Sequence, residues 1–295
     1  MSGPQGFLVI DKPLGVTSRR AVDVVQTWFP KGTRIGHAGT LDPLATGVLV
    51  VAVGRATRLI EYVQRMEKEY ATVLELGATS ATDDAEGPIT PTLGAAAPAP
   101  QDVDEAVRSF VGVIDQIPPA FSAAKVAGRR AHRLARRGEE VELAPRRVTI
   151  HDIRLLRYEY PALELIIRCG KGTYIRSLAR DLGHRLDCGA YVRALRRNSI
   201  GPFSLHAAIS LESPRQEASQ HLLPLEAGLP AARVELPPEL IARLAVGQAI
   251  EISAAFIPLG AEEVAVFDPA RRFRALAAWD PATGKLQPTK VFQLE

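Results

Sequence analysis

Cysteine is nearly absent, with only Cys169 and Cys188 among 295 residues. Two thiols cannot form a disulfide framework, and a reducing cytoplasm is the expected setting. No Cys-x-x-Cys pair occurs, and no two of the six histidines stand at metal-ligand spacing, so no zinc site is expected. No uninterrupted apolar run reaches membrane-spanning length. The first residues, Met-Ser-Gly-Pro-Gln, carry no basic segment followed by an apolar one. These absences predict a soluble, cytoplasmic protein with no membrane partner. A strong charge imbalance is missing too: 36 basic residues face 33 acidic ones, a formal net charge of +3. That excess does not by itself argue for nucleic acid.

The distribution of charge says more. Between Lys125 and Arg147 lie eight basic residues (Lys125, Arg129, Arg130, Arg133, Arg136, Arg137, Arg146 and Arg147) against Glu139, Glu140 and Glu142. Arg193, Arg196 and Arg197 form a second cluster, and both clusters are candidate phosphate contacts. The stretch from Ala231 to the end holds seven basic and eight acidic residues, so the positive field belongs to the first part of the chain. A charge run also reads as a merely solvated face.

Several segments have readable periodicity. Phe7–Ile10 reads as a strand ended by Asp11-Lys12-Pro13. Ser18 reads as the N-cap of a helix with the stripe Ala21, Val22, Val25, Trp28 and Phe29. A loop follows from Gly36 to Gly47, then an apolar strand over Val48–Val53 and a helix over Thr57–Gln64. Tyr70–Leu76 alternates as a strand. Asp102 is the expected cap of a helix over Val103–Val111, and the Arg-rich stretch predicts a basic helix to about Arg137. Val148–Tyr158 and Leu163–Arg168 read as neighbouring strands. Tyr174–Leu186 reads as a helix with Ile175, Leu178, Ala179, Leu182 and Leu186 on one stripe. After Pro224, short strands with turn signals at Asp268-Pro269 and Asp280–Gly284 suggest a small β-barrel. The expected domains are 1–229 and 230–295, and the expected class is α+β.

The most informative segment is Gly36-His37-Ala38-Gly39-Thr40-Leu41-Asp42-Pro43-Leu44-Ala45-Thr46-Gly47. Pro43 disfavours a helical backbone at Asp42, which places the carboxylate on an extended loop. The glycines permit tight turns and close approach of a ligand. Read locally, Asp-Pro between glycines is also ordinary turn chemistry.

The whole string resembles the catalytic loop of the TruB family of tRNA pseudouridine synthases. The resemblance continues in Asp11-Lys12-Pro13-Leu14-Gly15-Val16-Thr17-Ser18, Lys68-Glu69-Tyr70 with Leu76-Gly77, and Asp84-Ala85-Glu86-Gly87. It also includes Pro118–Lys125 and Gly170-Lys171-Gly172-Thr173-Tyr174-Ile175-Arg176-Ser177-Leu178. These matches run in order through residues 6–202. The C-terminal stretch is similar, less specifically, to a PUA-type RNA-binding barrel.

The resemblance implies a mixed-sheet pseudouridine synthase domain, with tRNA as substrate and the T-loop uridine at position 55 as target. It implies a monomer with no cofactor and no obligatory protein partner. The glycosidic bond moves from N1 to C5 without a redox step or net hydrolysis, and a carboxylate can attack, abstract a proton and leave again. Asp42 takes that catalytic place. Tyr70 takes the place of a tyrosine that stacks on the base and assists at C5, although alone it reads as a strand aromatic. Arg176 takes the place of an arginine paired with the carboxylate, although off the apolar stripe it also reads as a solvated residue. Tyr174 and Leu195 match pocket positions, and Asp84 keeps a functional position in the acidic turn. His37 would fill the stack left by a flipped-out uridine. Lys12 reads as a structural or phosphate contact. Ala81, where an aspartate is usual, and His132, where a tyrosine is common, depart from the pattern. Two other readings are a guide-RNA-dependent synthase subunit and a tRNA-binding or folding protein with vestigial catalysis.

Overall fold

The computed structural model describes residues 3–122, 125–126, 129–130, 143–213, 215–230 and 232–292, with 125–126 and 129–130 described by backbone alone. In chain order come β1 (Gly6–Lys12), α1 (Ser18–Gln26), β2 (Ile35–His37) and β3 (Ala45–Val53). A 3-10 turn at Gly54–Leu59 leads into α2 (Ile60–Arg65), followed by β4 (Lys68–Leu76), β5 (Ala78–Ser80), β6 (Ile89–Pro91), α3 (Pro100–Arg108) and β7 (Gly112–Gln116). Next are β8 (Lys125–Val126), β9 (Arg129–Arg130), β10 (Arg146–Glu159), β11 (Ala162–Cys169), α4 (Ile175–Arg185) and β12 (Ala190–Ile200). The remainder is β13 (Phe203–Ser204), β14 (Ala208–Ile209), β15 (Arg233–Glu235), α5 (Pro238–Ala245), β16 (Ile250–Glu251), β17 (Glu263–Phe267), β18 (Phe273–Asp280) and β19 (Lys285–Val291).

The larger sheet runs β14-β1-β3-β12-β4-β11-β10-β7, with β2 added on β3 and β13 on β12. It is mixed: β12 lies parallel to β3, and β14 parallel to β1, while the other ladders are antiparallel. Both faces of its centre are covered, so β1 and β3 are apolar at nearly every position. Their alternate residues feed two cores. Leu8, Ile10, Leu49, Val51 and Val53 enter one, roofed by Ala21, Val22 and Val25 of α1, Val103 and Val107 of α3, and Leu178 and Leu182 of α4. Phe7, Val9, Val48, Val50 and Ala52 enter the other, with Leu59, Tyr62 and Val63.

The second core continues into the C-terminal five-stranded sheet, ordered β15-β17-β18-β19-β16, through Phe267, Phe273, Leu276 and Phe292. Among the described residues no ladder joins its two edge strands, so it is an open sheet. It is also held by polar contacts: the Tyr62 hydroxyl donates to Glu263 at 2.5 Å, and Lys290 pairs with Glu61 at 2.6 Å. No helix among the described residues is long and apolar enough to cross a membrane.

Most expected elements form, with several differences. The ends of the expected Gly36–Gly47 loop belong to β2 and β3, the helix expected over Thr57–Gln64 begins as a 3-10 turn, and α1 stops before Trp28 and Phe29. Thr17, not Ser18, caps α1 by accepting from the Arg20 N–H. Helix α3 starts at Pro100 with Ala99 as its cap, and Asp102 stands inside its first turn. Backbone strands β8 and β9 pair where the basic helix was expected to begin; the rest of that stretch, with His132, lies outside the described residues. Strand β12 carries no apolar alternation that would announce it, because Arg193, Arg196, Arg197 and Asn198 interrupt it.

Candidate active site

The carboxylate of Asp42 owes its position to local backbone ties. Ser18 is buried, and its hydroxyl donates to the Leu41 carbonyl at 2.9 Å while accepting from the Leu41 N–H at 2.8 Å. On the other side, Pro43 O accepts from Gly15 N at 2.8 Å and from Lys12 Nζ at 3.4 Å. Ala45 N closes a turn onto Asp42 O at 3.1 Å. Both neighbours of Asp42 are therefore anchored to the segment between β1 and α1. Gly47, at φ +95°, lets β3 pass so close to β12 that a Cβ there would lie 2.3 Å from Arg197 O.

The Ser18 ties give a direct expectation. Ser18→Ala strands a buried N–H and carbonyl at Leu41, and should cost about 1–3 kcal/mol of stability. Looser placement of Asp42 should lower turnover by about tenfold. Urea unfolding and steady-state kinetics measure the two effects. Unchanged stability would mean that these bonds contribute nothing.

Arg176 sits one residue into α4, where the helix start is fixed from outside. Tyr174 is the N-cap but its side chain makes no capping bond. Buried Gln116 does so instead, accepting from Tyr174 N at 2.8 Å and donating to Tyr174 O at 3.1 Å. The Arg176 guanidinium then reaches Asp42 Oδ2 at 2.9 Å and Asp84 Oδ2 at 3.2 Å. It also donates to Thr82 O and Phe121 O, both at 3.1 Å. Two carboxylates and two carbonyls thus surround its two terminal nitrogens, a use of the planar fork that an ammonium cannot copy. Arg176 is 6% exposed, so it is no solvated helix residue.

Asp84 is more deeply buried, at 1% exposure, and accepts in addition from the Thr82 hydroxyl and Glu86 N–H. Its turn is stitched to β12 by Ala85 N to Val192 O and Val192 N to Asp83 O. Ala81 is exposed on that turn, away from these bonds. One helical turn after Arg176, Arg180 pairs with Asp83 at 3.1 Å and donates to Ile117 O. Sequence reasoning missed Arg180 and Ser18, since neither stands out from a helix surface and a cap position.

Asp42 itself keeps 38% of its side chain exposed. The surrounding protein nevertheless pushes its pKa above the usual carboxylate range, chiefly by desolvation. Arg176 and Lys12 oppose that rise, while Asp84 adds to it. Lys12 is fully buried, its ammonium held by Pro13 O at 2.9 Å and Val16 O at 2.6 Å as well as Pro43 O. Burial brings its pKa down to about 8. With no exposed surface, Lys12 is built into the loop support and presents nothing to a phosphate.

Tyr70 projects from β4 into the first core, 8% exposed, and burial raises its phenol pKa. Directly across the ladder on β12 is Arg197. The sequence placed Arg197 among the surface phosphate contacts; the structure corrects this, since it is 2% exposed. Its guanidinium donates to Val48 O at 2.8 Å, Gly39 O at 3.1 Å and the Tyr70 hydroxyl at 3.5 Å. Arg193 and Arg196 remain partly exposed, paired with Glu75 at 2.9 Å and Asp11 at 2.8 Å. Leu195 sits between them, its backbone in register with Ala45 on β3 and Thr72 on β4. His37 ends β2; its Nδ1 is buried without a hydrogen-bond partner among the described residues, and burial together with Arg197 lowers its pKa.

The fold therefore gathers Asp42, Arg176, Asp84 and Lys12 into one electrostatic cluster, with Tyr70 and His37 linked to it through Arg197. Tyr174 is the N-cap of the helix that carries Arg176, and Leu195 is in register with Ala45. The arrangement pairs one carboxylate with a buried guanidinium and a buried phenol with a second one.

Comparison with known proteins gives concordant matches. The model of the TruB family pseudouridylate synthase N-terminal domain matches residues 27–175, and that of the tRNA pseudouridylate synthase B C-terminal domain matches residues 176–229. A tRNA pseudouridine synthase B from Ruegeria sp. (strain TM1040) is 41% identical over 294 residues, covering 97% of this chain and 95% of that protein. One from Dehalococcoides mccartyi (strain CBDB1) is 43% identical over 296 residues, covering 97% and 96%. The fold is similar to that in a crystal structure of a Cbf5-Nop10-Gar1 complex, with a TM-score of 0.74, 23% identity, and coverage of 98% of this chain and 84% of that one.

Proposed function

The chain belongs to the TruB family of pseudouridylate synthases, and from that premise we propose that it converts the T-loop uridine of tRNA, at position 55, to pseudouridine. It is an enzyme that isomerises uridine in tRNA, as its relatives' names state of them. The single observation that carries the site assignment is the 2.9 Å pair between Asp42 and a buried arginine that also holds Asp84.

In this reading Asp42 is the reacting carboxylate. Desolvation sharpens its reactivity, and Arg176 opposes the rise in its pKa. The target base is extruded from the T-loop and lies on Tyr70, between Tyr174 and Leu195, while His37 takes the place the base leaves. Asp84 acts through Arg176, and Lys12 through the backbone of Pro43. Isomerisation needs neither electrons nor net water, so neither cofactor nor metal is invoked. The protein works as a cytoplasmic monomer without a guide RNA or protein partner. Its catalytic domain covers 1–229, and 230–295 is a PUA-type module that supports tRNA binding. The basic stretch 125–147 supplies phosphate contacts.

Purified protein alone should release tritium from a tRNA transcript labelled at uridine C5. No release without added guide RNA and proteins would favour a synthase subunit, and tRNA binding without any release would favour a vestigial site.

A further inference from the structure

Arg197 is a large, almost fully buried cation, and none of the ion pairs among the described residues includes it. Its donors go instead to Val48 O, Gly39 O and the Tyr70 hydroxyl. Burying a guanidinium against neutral partners is costly, and two carbonyls could be satisfied more cheaply by a neutral amide. What only a cation can do here is favour negative charge on the one titratable group it touches. The groups acting on the Tyr70 phenol are Arg197 from β12, Cys169 from β11 and Asp42 from the catalytic loop, and of these Arg197 alone is positive.

We propose that Arg197 is a positioning residue for the last proton transfer of the reaction, holding the Tyr70 hydroxyl and stabilising its phenolate so that it can take the proton from C5. The inference rests on the function proposed above, yet not on which atom Asp42 first engages. By every route the new C5–C1′ bond leaves a hydrogen on a tetrahedral C5. The Tyr70 oxygen takes that proton and the C5–H electron pair closes the C5–C6 double bond. The pair displaced at C6 moves to N1, or returns to the Asp42 carboxylate where that is bonded at C6. N1 takes a proton from water, and the hydroxide so formed takes up the proton gained by Tyr70. Burial opposes formation of the phenolate, and Arg197, fixed by Gly39 and Val48, is the group placed to offset it.

Three tRNA transcripts test this with the full-length protein: uridine, 5-deuterouridine and 5-fluorouridine at the target. Fluorine cannot leave C5 as a proton, so the third substrate reports bond transfer without the final step. Arg197→Met should lower turnover on uridine by about a hundredfold, within the range of general-base contributions. Its tRNA affinity and its reaction with the fluorinated transcript should stay near the parent's. The rate difference between hydrogen and deuterium at C5 should rise well above the parent's, because proton removal becomes limiting. Arg197→Lys retains a cation and should recover much of the turnover. If the methionine variant does not fold, Arg197→Gln, which can still donate to a carbonyl but carries no charge, decides by the same two comparisons. Equal losses on uridine and fluorouridine, with no new isotope effect, would make Arg197 a strut between strands and overturn the inference. A parent protein inert to all three transcripts would overturn the proposed function and this inference with it.

Discussion

Asp42→Asn is expected to abolish turnover, by at least about ten-thousandfold, while tRNA affinity stays close to the parent's. The amide has nearly the carboxylate's shape and can still accept from Arg176. It cannot attack a carbon, hold a proton at neutral pH or depart as a stable anion. Binding should survive because Arg176 keeps Asp84, Thr82 O and Phe121 O, and the loop keeps its ties through Ser18, Gly15 and Lys12. The stability effect has a definite sign. Asp42 titrates above its unfolded value, so its ionised form costs the folded state stability once pH rises through the folded pKa. The asparagine variant should therefore melt no lower than the parent at pH 7, with any advantage shrinking as the solution is acidified. Thermal unfolding across pH checks this, and single-turnover kinetics check the first claim. Substantial residual turnover would remove Asp42 from the chemistry.

Arg176→Lys should lower turnover by about a hundred- to a thousandfold with less than about tenfold change in affinity. An ammonium can reach one carboxylate well but cannot span Asp42, Asp84 and two carbonyls from a single point. Arg176→Met is the poorer kinetic probe, because it leaves Asp84 buried without its cation and should cost about 3–5 kcal/mol of stability. The pH dependence follows from the same contact. Arg176 pulls down an Asp42 pKa that burial has raised, so weakening the pair should move the acid limb of the turnover profile to higher pH. An unmoved limb with an unaffected rate would separate Arg176 from the carboxylate.

Much of this site was legible in the chain because its signals are local. The Gly36–Gly47 string with Asp42 before Pro43, the alternation of Tyr70–Leu76 and the stripe of Tyr174–Leu186 each lie within a dozen residues or so. Strand β4 buries Lys68, Tyr70, Thr72, Leu74 and Leu76, as a period of two requires. Two arginines show where that legibility ended. Arg176 lies off its helix's apolar stripe and looked solvated, yet it is buried because Asp42 and Asp84 arrive from distant loops. Arg197 stands in a run of arginines and looked like phosphate-binding surface, yet β12 inserts between β3 and β4 and turns that side chain inward. Periodicity weighs each charge as polar, and so cannot tell a solvated cation from one neutralised within the fold.

The sequence by itself determined the family, the carboxylate proposed to react and most elements, since apolar period, turn chemistry and an ordered set of motifs are properties of contiguous residues. Only the tertiary structure decided which charges face each other. It made Arg176 a four-partner clamp, fixed Lys12 to loop carbonyls, placed Ser18 on Leu41 and brought Arg197 to Tyr70. It also merged the C-terminal sheet into the catalytic core through Phe267, Phe273 and Phe292. Apart from the bonds of Lys12 to Pro13 and Val16, these contacts join residues from about 20 to more than 200 positions apart. Their partners are chosen by strand order and register, which follow from burying two apolar faces of one sheet at once.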